Sequence, residues 1–108
     1  MNLEFNTNEY INKIKKNGDN YFHTFISKDS LAAGILYLKP GEKDTQVPHE
    51  SDEIYYIIKG NGNLKINKKD FQVSEGKAYF VAKNVEHYFF GNTKDLIVLY
   101  FFGGPDLE

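Results

Sequence analysis

Apolar positions along this chain fall into short runs of two kinds, divided by turn-forming residues at close intervals. In one kind apolar and polar positions alternate, as at Leu64, Ile66, Phe71 and Val73. A period of two puts every second side chain on one face of a sheet. In the other kind β-branched and aromatic residues run on without a break, as over residues 54–58 and over Leu96–Phe102. Such runs predict strands that are apolar on both faces and need cover on both. Residues 21–26 and Leu31–Leu38 predict a hairpin across the polar residues 27–30, and residues 64–66 and 71–73 a second hairpin across 67–70. Ala78–Val81 and His87–Phe90 predict two more strands, with turns at Lys39-Pro40-Gly41, Gly60-Asn61-Gly62, Glu75-Gly76 and residues 91–95.

Only the start of the chain departs from the strand pattern. Asn8, Glu9, the apolar Tyr10, Ile11 and Ile14, and the basic Lys13, Lys15 and Lys16 predict a short helix capped by Asn8 and stopped by Gly18. Counted together, roughly nine short strands predict an all-β fold, a jelly roll of two packed antiparallel sheets with a short N-terminal helix. Residues 1–20 are read as an N-terminal arm and residues 21–103 as the barrel.

Composition narrows the chemistry. A length of 108 residues suits one domain with one core. A net charge of −2, with lysines interleaved among acids, gives no basic face for nucleic acid. The absence of cysteine removes disulfides, thiolate metal sites and thiol nucleophiles, leaving His, carboxylate, Tyr, Lys or a bound metal to carry any reaction. The first residues lack the apolar centre of a signal peptide, and no apolar run approaches the roughly 20 residues that span a bilayer. The expectation is a cytoplasmic protein without membrane partners.

The stretch from Gly41 to Gly60 holds the densest chemistry. His49 and Glu53 are both metal-capable and stand four apart. Pro48 and the run after Glu53 predict strand rather than helix, so His49 should end one strand and Glu53 begin the next, with a bend at Glu50-Ser51-Asp52. Here the chain resembles the cupin superfamily. Its first motif places a glycine, a His-any-His pair, a glutamate and a second glycine at fixed intervals, and Gly41, His49, Glu53 and Gly60 fall in register, with Val47 where the first histidine stands. The second motif runs glycine, proline, glycine, histidine, matched by Gly76, Ala82, Asn84 and His87. Asparagine in place of that glycine tolerates a positive φ better than most residues.

The resemblance implies a cupin jelly-roll β-barrel holding one divalent metal through His49, Glu53 and His87. Two imidazoles and one carboxylate suit iron(II), zinc, manganese or nickel, and leave about three octahedral positions for water, oxygen or substrate. Side-chain alternation puts Tyr55 and Ile57 on the face of Glu53, Val47 on that of His49 and Phe89 on that of His87. Tyr55 is then the candidate catalytic acid or base, an arrangement similar to that of small cupin lyases acting on dimethylsulfoniopropionate, and Val47, Ile57 and Phe89 the pocket wall. The outward Ile54, Tyr56 and Ile58 imply a homodimer. The expected function is a metalloenzyme acting on a small oxygen-bearing metabolite as a dioxygenase, lyase or isomerase, the alternative being a non-catalytic small-molecule-binding or sensor barrel. His23, outside both motifs, reads as structural.

Overall fold

A computed structural model describes residues 2–17 and 20–105. The chain runs α1 (Thr7–Asn17), β1 (Phe22–Lys28), β2 (Leu31–Leu38), β3 (Glu53–Lys59), β4 (Asn61–Ile66), β5 (Lys69–Ser74), β6 (Ala78–Val81), β7 (His87–Phe90) and β8 (Leu96–Phe102). A five-stranded sheet in the order β1-β2-β8-β3-β6 packs on a three-stranded sheet in the order β5-β4-β7, every pairing antiparallel. This is the expected all-β jelly roll with one short helix. Among the described residues no helix is long and apolar enough to cross a membrane.

Eight strands form among the described residues, rather than roughly nine, and the difference lies beside the site. The segment expected to carry Val47 and His49 as a strand is irregular over residues 42–49. Pro48 has no N–H to give to a ladder. Asp44 draws the Gln46 N–H to its own carboxylate at 3.2 Å, a local turn that competes with sheet pairing.

The helix begins earlier than the sequence suggests. Asn6, not Asn8, is its cap, its side-chain oxygen accepting the Asn8 N–H at 3.1 Å. Gly18, the expected stop, lies outside the described residues. The helix lays Tyr10, Ile11 and Ile14 against Ile35, Tyr37 and Ile97 on the outer face of the large sheet, joined by Phe25, Ile58 and Leu99. The inner faces of the two sheets meet around Leu36, Leu38, Tyr55, Ile57, Leu64, Phe89, Val98 and Tyr100. Strand β2 is therefore buried on both faces beyond Leu31, which explains its unbroken apolar run.

One row across the large sheet fixes a wall of the interior. Thr24, Gly34 and Tyr100 pair side by side on β1, β2 and β8, and the Tyr100 ring crosses over Gly34 so that its hydroxyl meets Thr24 Oγ1 at 2.6 Å. A Cβ on Gly34 would stand 2.2 Å from the Tyr100 hydroxyl oxygen and 2.5 Å from the His23 carbonyl oxygen. Gly34→Ala should therefore destabilise the fold by about 1–3 kcal/mol, the usual range for overpacking a closed core. Urea denaturation measures this, and an unchanged midpoint would mean that Tyr100 leaves its place without cost.

Candidate metal centre

Three elements bring the site together. Glu53 opens β3, where alternation buries Glu53, Tyr55 and Ile57 and leaves Ile54 and Tyr56 exposed. His87 opens β7 in the opposite sheet. Its Nδ1 donates to the Val85 carbonyl at 2.9 Å, and since a carbonyl only accepts, that nitrogen carries the proton and Nε2 turns inward. His49 comes from the irregular segment, which the turn of the second motif holds in place. The Asn84 N–H donates to the His49 carbonyl at 2.7 Å, and the Lys83 N–H to Asp52 Oδ1 at 2.9 Å. Asn84 makes that turn at φ 63°, the left-handed conformation expected for the position. The His49 ring rests on Phe102 with centroids 4.6 Å apart.

The donor atoms converge. His87 Nε2 lies 3.2 Å from Glu53 Oε1 and His49 Nε2 lies 3.9 Å from it, and one ligand atom from each of the three falls within 4.8 Å of the others. The His49 side chain is 11% exposed, and those of Glu53 and His87 are 1%. Among the described residues, none gives a hydrogen bond to either oxygen of Glu53. Although His87 is close, its Nε2 is left with a lone pair once Nδ1 donates to Val85, so neutral imidazole and carboxylate present electron pairs to each other. A buried carboxylate in that state is costly without a proton or a cation between the groups.

One divalent ion fits these donors. At about 2.0–2.2 Å from an ion, neighbouring ligands stand about 3 Å apart in an octahedron and about 3.4 Å apart in a tetrahedron. Without the ion the electrostatics favour a proton. Burial pushes His87 down, but the close approach of the Glu53 carboxylate at 3.2 Å and the hydrogen bond to the Val85 carbonyl, with the charges of Glu53 and Asp44, outweigh it and raise the imidazole above its ordinary value. Tyr55 is fully buried; its hydroxyl donates to Gln46 Oε1 at 2.8 Å and lies 3.0 Å from His87 Nε2. Burial first, then the charges of Glu53 and Asp44, push this phenol well above its ordinary value.

Other expected residues fall elsewhere. Val47 is 60% exposed, so it does not face the site; alternation does not apply to an irregular segment, and the inward side chain is Gln46 instead. Ile57 and Phe89 are core residues, Phe89 meeting the Tyr55 ring edge-on at 4.9 Å. The cavity beside Glu53 is lined instead by Tyr21, Phe22, Leu36, Gln46, Tyr100 and Phe102. His23 stacks on Tyr10 under the helix, outside the cluster, as a structural histidine does. Sequence reasoning missed Asp44 and Gln46. The available signal was Asp44-Thr45-Gln46 in a polar stretch before Pro48, an aspartate spaced to bond the backbone two residues on.

Comparison with known proteins agrees with this fold. Residues 34–102 match the family described as the cupin domain. An uncharacterized protein of Streptomyces coelicolor is 30% identical over 88 residues, covering 82% of this chain and 84% of that one. The DMSP lyase DddQ of Ruegeria pomeroyi superposes with a TM-score of 0.73 at 23% identity, over 86% of this chain and 51% of the lyase. KdgF of a Halomonas species gives 0.69 at 21% identity, over 79% of each chain. An RmlC-like cupin of Shewanella frigidimarina gives 0.69 at 17% identity, over 81% of this chain and 77% of the other. These structures share the fold.

The raised His87 pKa sets a pH dependence for the protein stripped of metal. The unfolded histidine titrates near 6.5, so the folded-state pairing with Glu53 contributes in full below that pH and is lost as pH rises through the higher folded value. Urea midpoints of the chelator-treated protein should fall as pH rises from about 6.5 through that higher folded value. Comparison with His87→Ala isolates this contribution from His23, which burial and Lys13 shift the opposite way. Identical pH profiles in the two proteins would show that His87 holds no extra proton.

Proposed function

This chain belongs to the cupin family, and on that footing we propose that it is a mononuclear metalloenzyme that moves a proton on a small oxygen-bearing metabolite, in a reaction of lyase or isomerase type. The observation that carries the reading is the buried Glu53 carboxylate, without a hydrogen-bond donor, facing the inward nitrogen of His87 with His49 alongside. His49, Glu53 and His87 would hold the ion, and such donors suit iron(II), zinc, manganese or nickel. When bound, a divalent cation supplies Lewis-acid polarisation of a substrate oxygen and lowers the pKa of an adjacent phenol.

The chain's own residues supply the rest. Tyr55 stands at the centre with its hydroxyl held between Gln46 and His87, placed to take or return a proton. This is what favours proton transfer over a dioxygenase reaction within the same ligand set. Tyr21, Phe22, Leu36, Tyr100 and Phe102 give the cavity beside Glu53 a largely apolar lining. The free space beside Glu53 is about 10 Å³, room for one water-sized group, so admission of a metabolite requires part of the wall to move.

We also propose that a second copy of the chain covers the outer face that the helix leaves bare. Phe80, Ile54 and Phe101 stand in one row across β6, β3 and β8, 57%, 39% and 37% exposed, with Tyr56 beside them at 42%. A row of this kind is self-complementary about a twofold axis.

Two measurements test these readings. Elemental analysis of untagged protein should find about one divalent ion per chain, His87→Ala should retain none while keeping its far-ultraviolet circular dichroism, and Tyr55→Phe should keep the ion. A metal-free barrel that carries a co-purified organic molecule would instead support a binding or sensor role. In sedimentation, the natural chain should be a dimer and Phe80→Lys should shift it toward monomer; a natural chain that stays monomeric at all concentrations refutes the second copy.

A further inference from the structure

The polar segment before Pro48 is organised around one buried carboxylate. Asp44 is 8% exposed and accepts the Tyr21 hydroxyl at 3.0 Å, the Gln46 N–H at 3.2 Å, the Phe89 N–H at 2.8 Å and the Gln46 side-chain amide at 2.8 Å. The last contact fixes the Gln46 carboxamide. Its nitrogen must face the Asp44 carboxylate, because the reverse arrangement would set two acceptors against each other. Its oxygen therefore faces the site. Gln46 Oε1 lies 2.8 Å from the Tyr55 hydroxyl and 3.3 Å from His49 Nε2, and Gln46 lines the same cavity as Glu53.

We infer that Gln46 is a fourth protein ligand of the centre proposed above, giving its carboxamide oxygen to the ion; the inference rests on that reading. A separation of 3.3 Å from His49 Nε2 is that of two donors on neighbouring corners of one coordination shell. An amide oxygen is a neutral, hard donor, and with Glu53 it makes the set two nitrogens and two oxygens. That set accommodates manganese(II) and iron(II) as well as zinc, and leaves an octahedral ion about two positions for substrate rather than three. Asp44 is then the positioning residue, holding the carboxamide nitrogen as carboxylates elsewhere hold the outer nitrogen of a ligand histidine. The irregular segment thus supplies a donor one residue before Val47, whose side chain points to solvent.

Cobalt(II) titration, followed by its visible absorption, tests the assignment. Gln46→Leu should weaken cobalt affinity about tenfold or more and alter the spectrum, as loss of one donor does. The same loss should appear when Gln46→Leu is made in a Tyr55→Phe background. If it disappears there, Gln46 acts only by holding Tyr55 and the ligand assignment is overturned. Unchanged affinity and spectrum in Gln46→Leu also overturn it. Val47→His should leave both unchanged. Should Gln46→Leu fail to fold, Gln46→Asn, which withdraws the oxygen by one methylene, is judged by the same readouts. A natural chain that takes up no cobalt at all overturns the metal reading itself, a result distinct from failure of the Gln46 assignment.

Discussion

A carboxylate placed in an apolar interior is the constraint on which the rest of this structure depends. Strand β3 alternates, so burying Tyr55 and Ile57 in the core forces Glu53 to point the same way. Shifting β3 by one residue would relieve Glu53 only by expelling a tyrosine and an isoleucine from the core, which costs far more than the shift gains. The fold meets the constraint with His87 from the opposite sheet and His49 from the connecting segment. Each imidazole sets a nitrogen beside a carboxylate that no N–H of the described residues satisfies.

The link between sheet and loop explains how so polar a centre stays ordered. Residues 42–49 give up strand pairing, and Asp44 replaces the lost ladder by gathering N–H groups from its own segment and from β7. Further along, the turn at Ala82-Lys83-Asn84 ties down His49 and Asp52 through backbone N–H groups. The two motifs are thus mechanically one. Tyr21, which reaches Asp44 from the residue before β1, feels the same carboxylate: burial and the Asp44 charge push its phenol up to about 12.

The outer face of the large sheet shows how two-sided apolar strands are resolved. One end is covered by α1, which takes Ile35, Tyr37, Ile97 and Ile58 into a second small core. The other end presents Phe80, Ile54 and Phe101 to solvent. Ile58 therefore belongs with the helix, although by alternation alone it is equivalent to Ile54 and Tyr56. Where α1 sits is what separates them.

The local pattern was enough to determine most of the strands, the hairpins and the helix near the start, which follow from residue type and spacing: β-branched runs, turn glycines and alternation along strands that exist. The meeting of His49, Glu53 and His87 was implied by the resemblance to the two cupin motifs. Alternation is also why Tyr55 was placed correctly and Val47 was not. Tyr55 lies in a paired strand, where the ladder enforces a period of two. Val47 lies where Pro48 and Asp44 break the ladder, and there the direction of a side chain depends on which distant groups claim its neighbours. Gln46 turns inward because Asp44, itself held by Tyr21 and by β7, grips its amide. Partners 23 and 45 residues away decide that orientation, and no local pattern carries it.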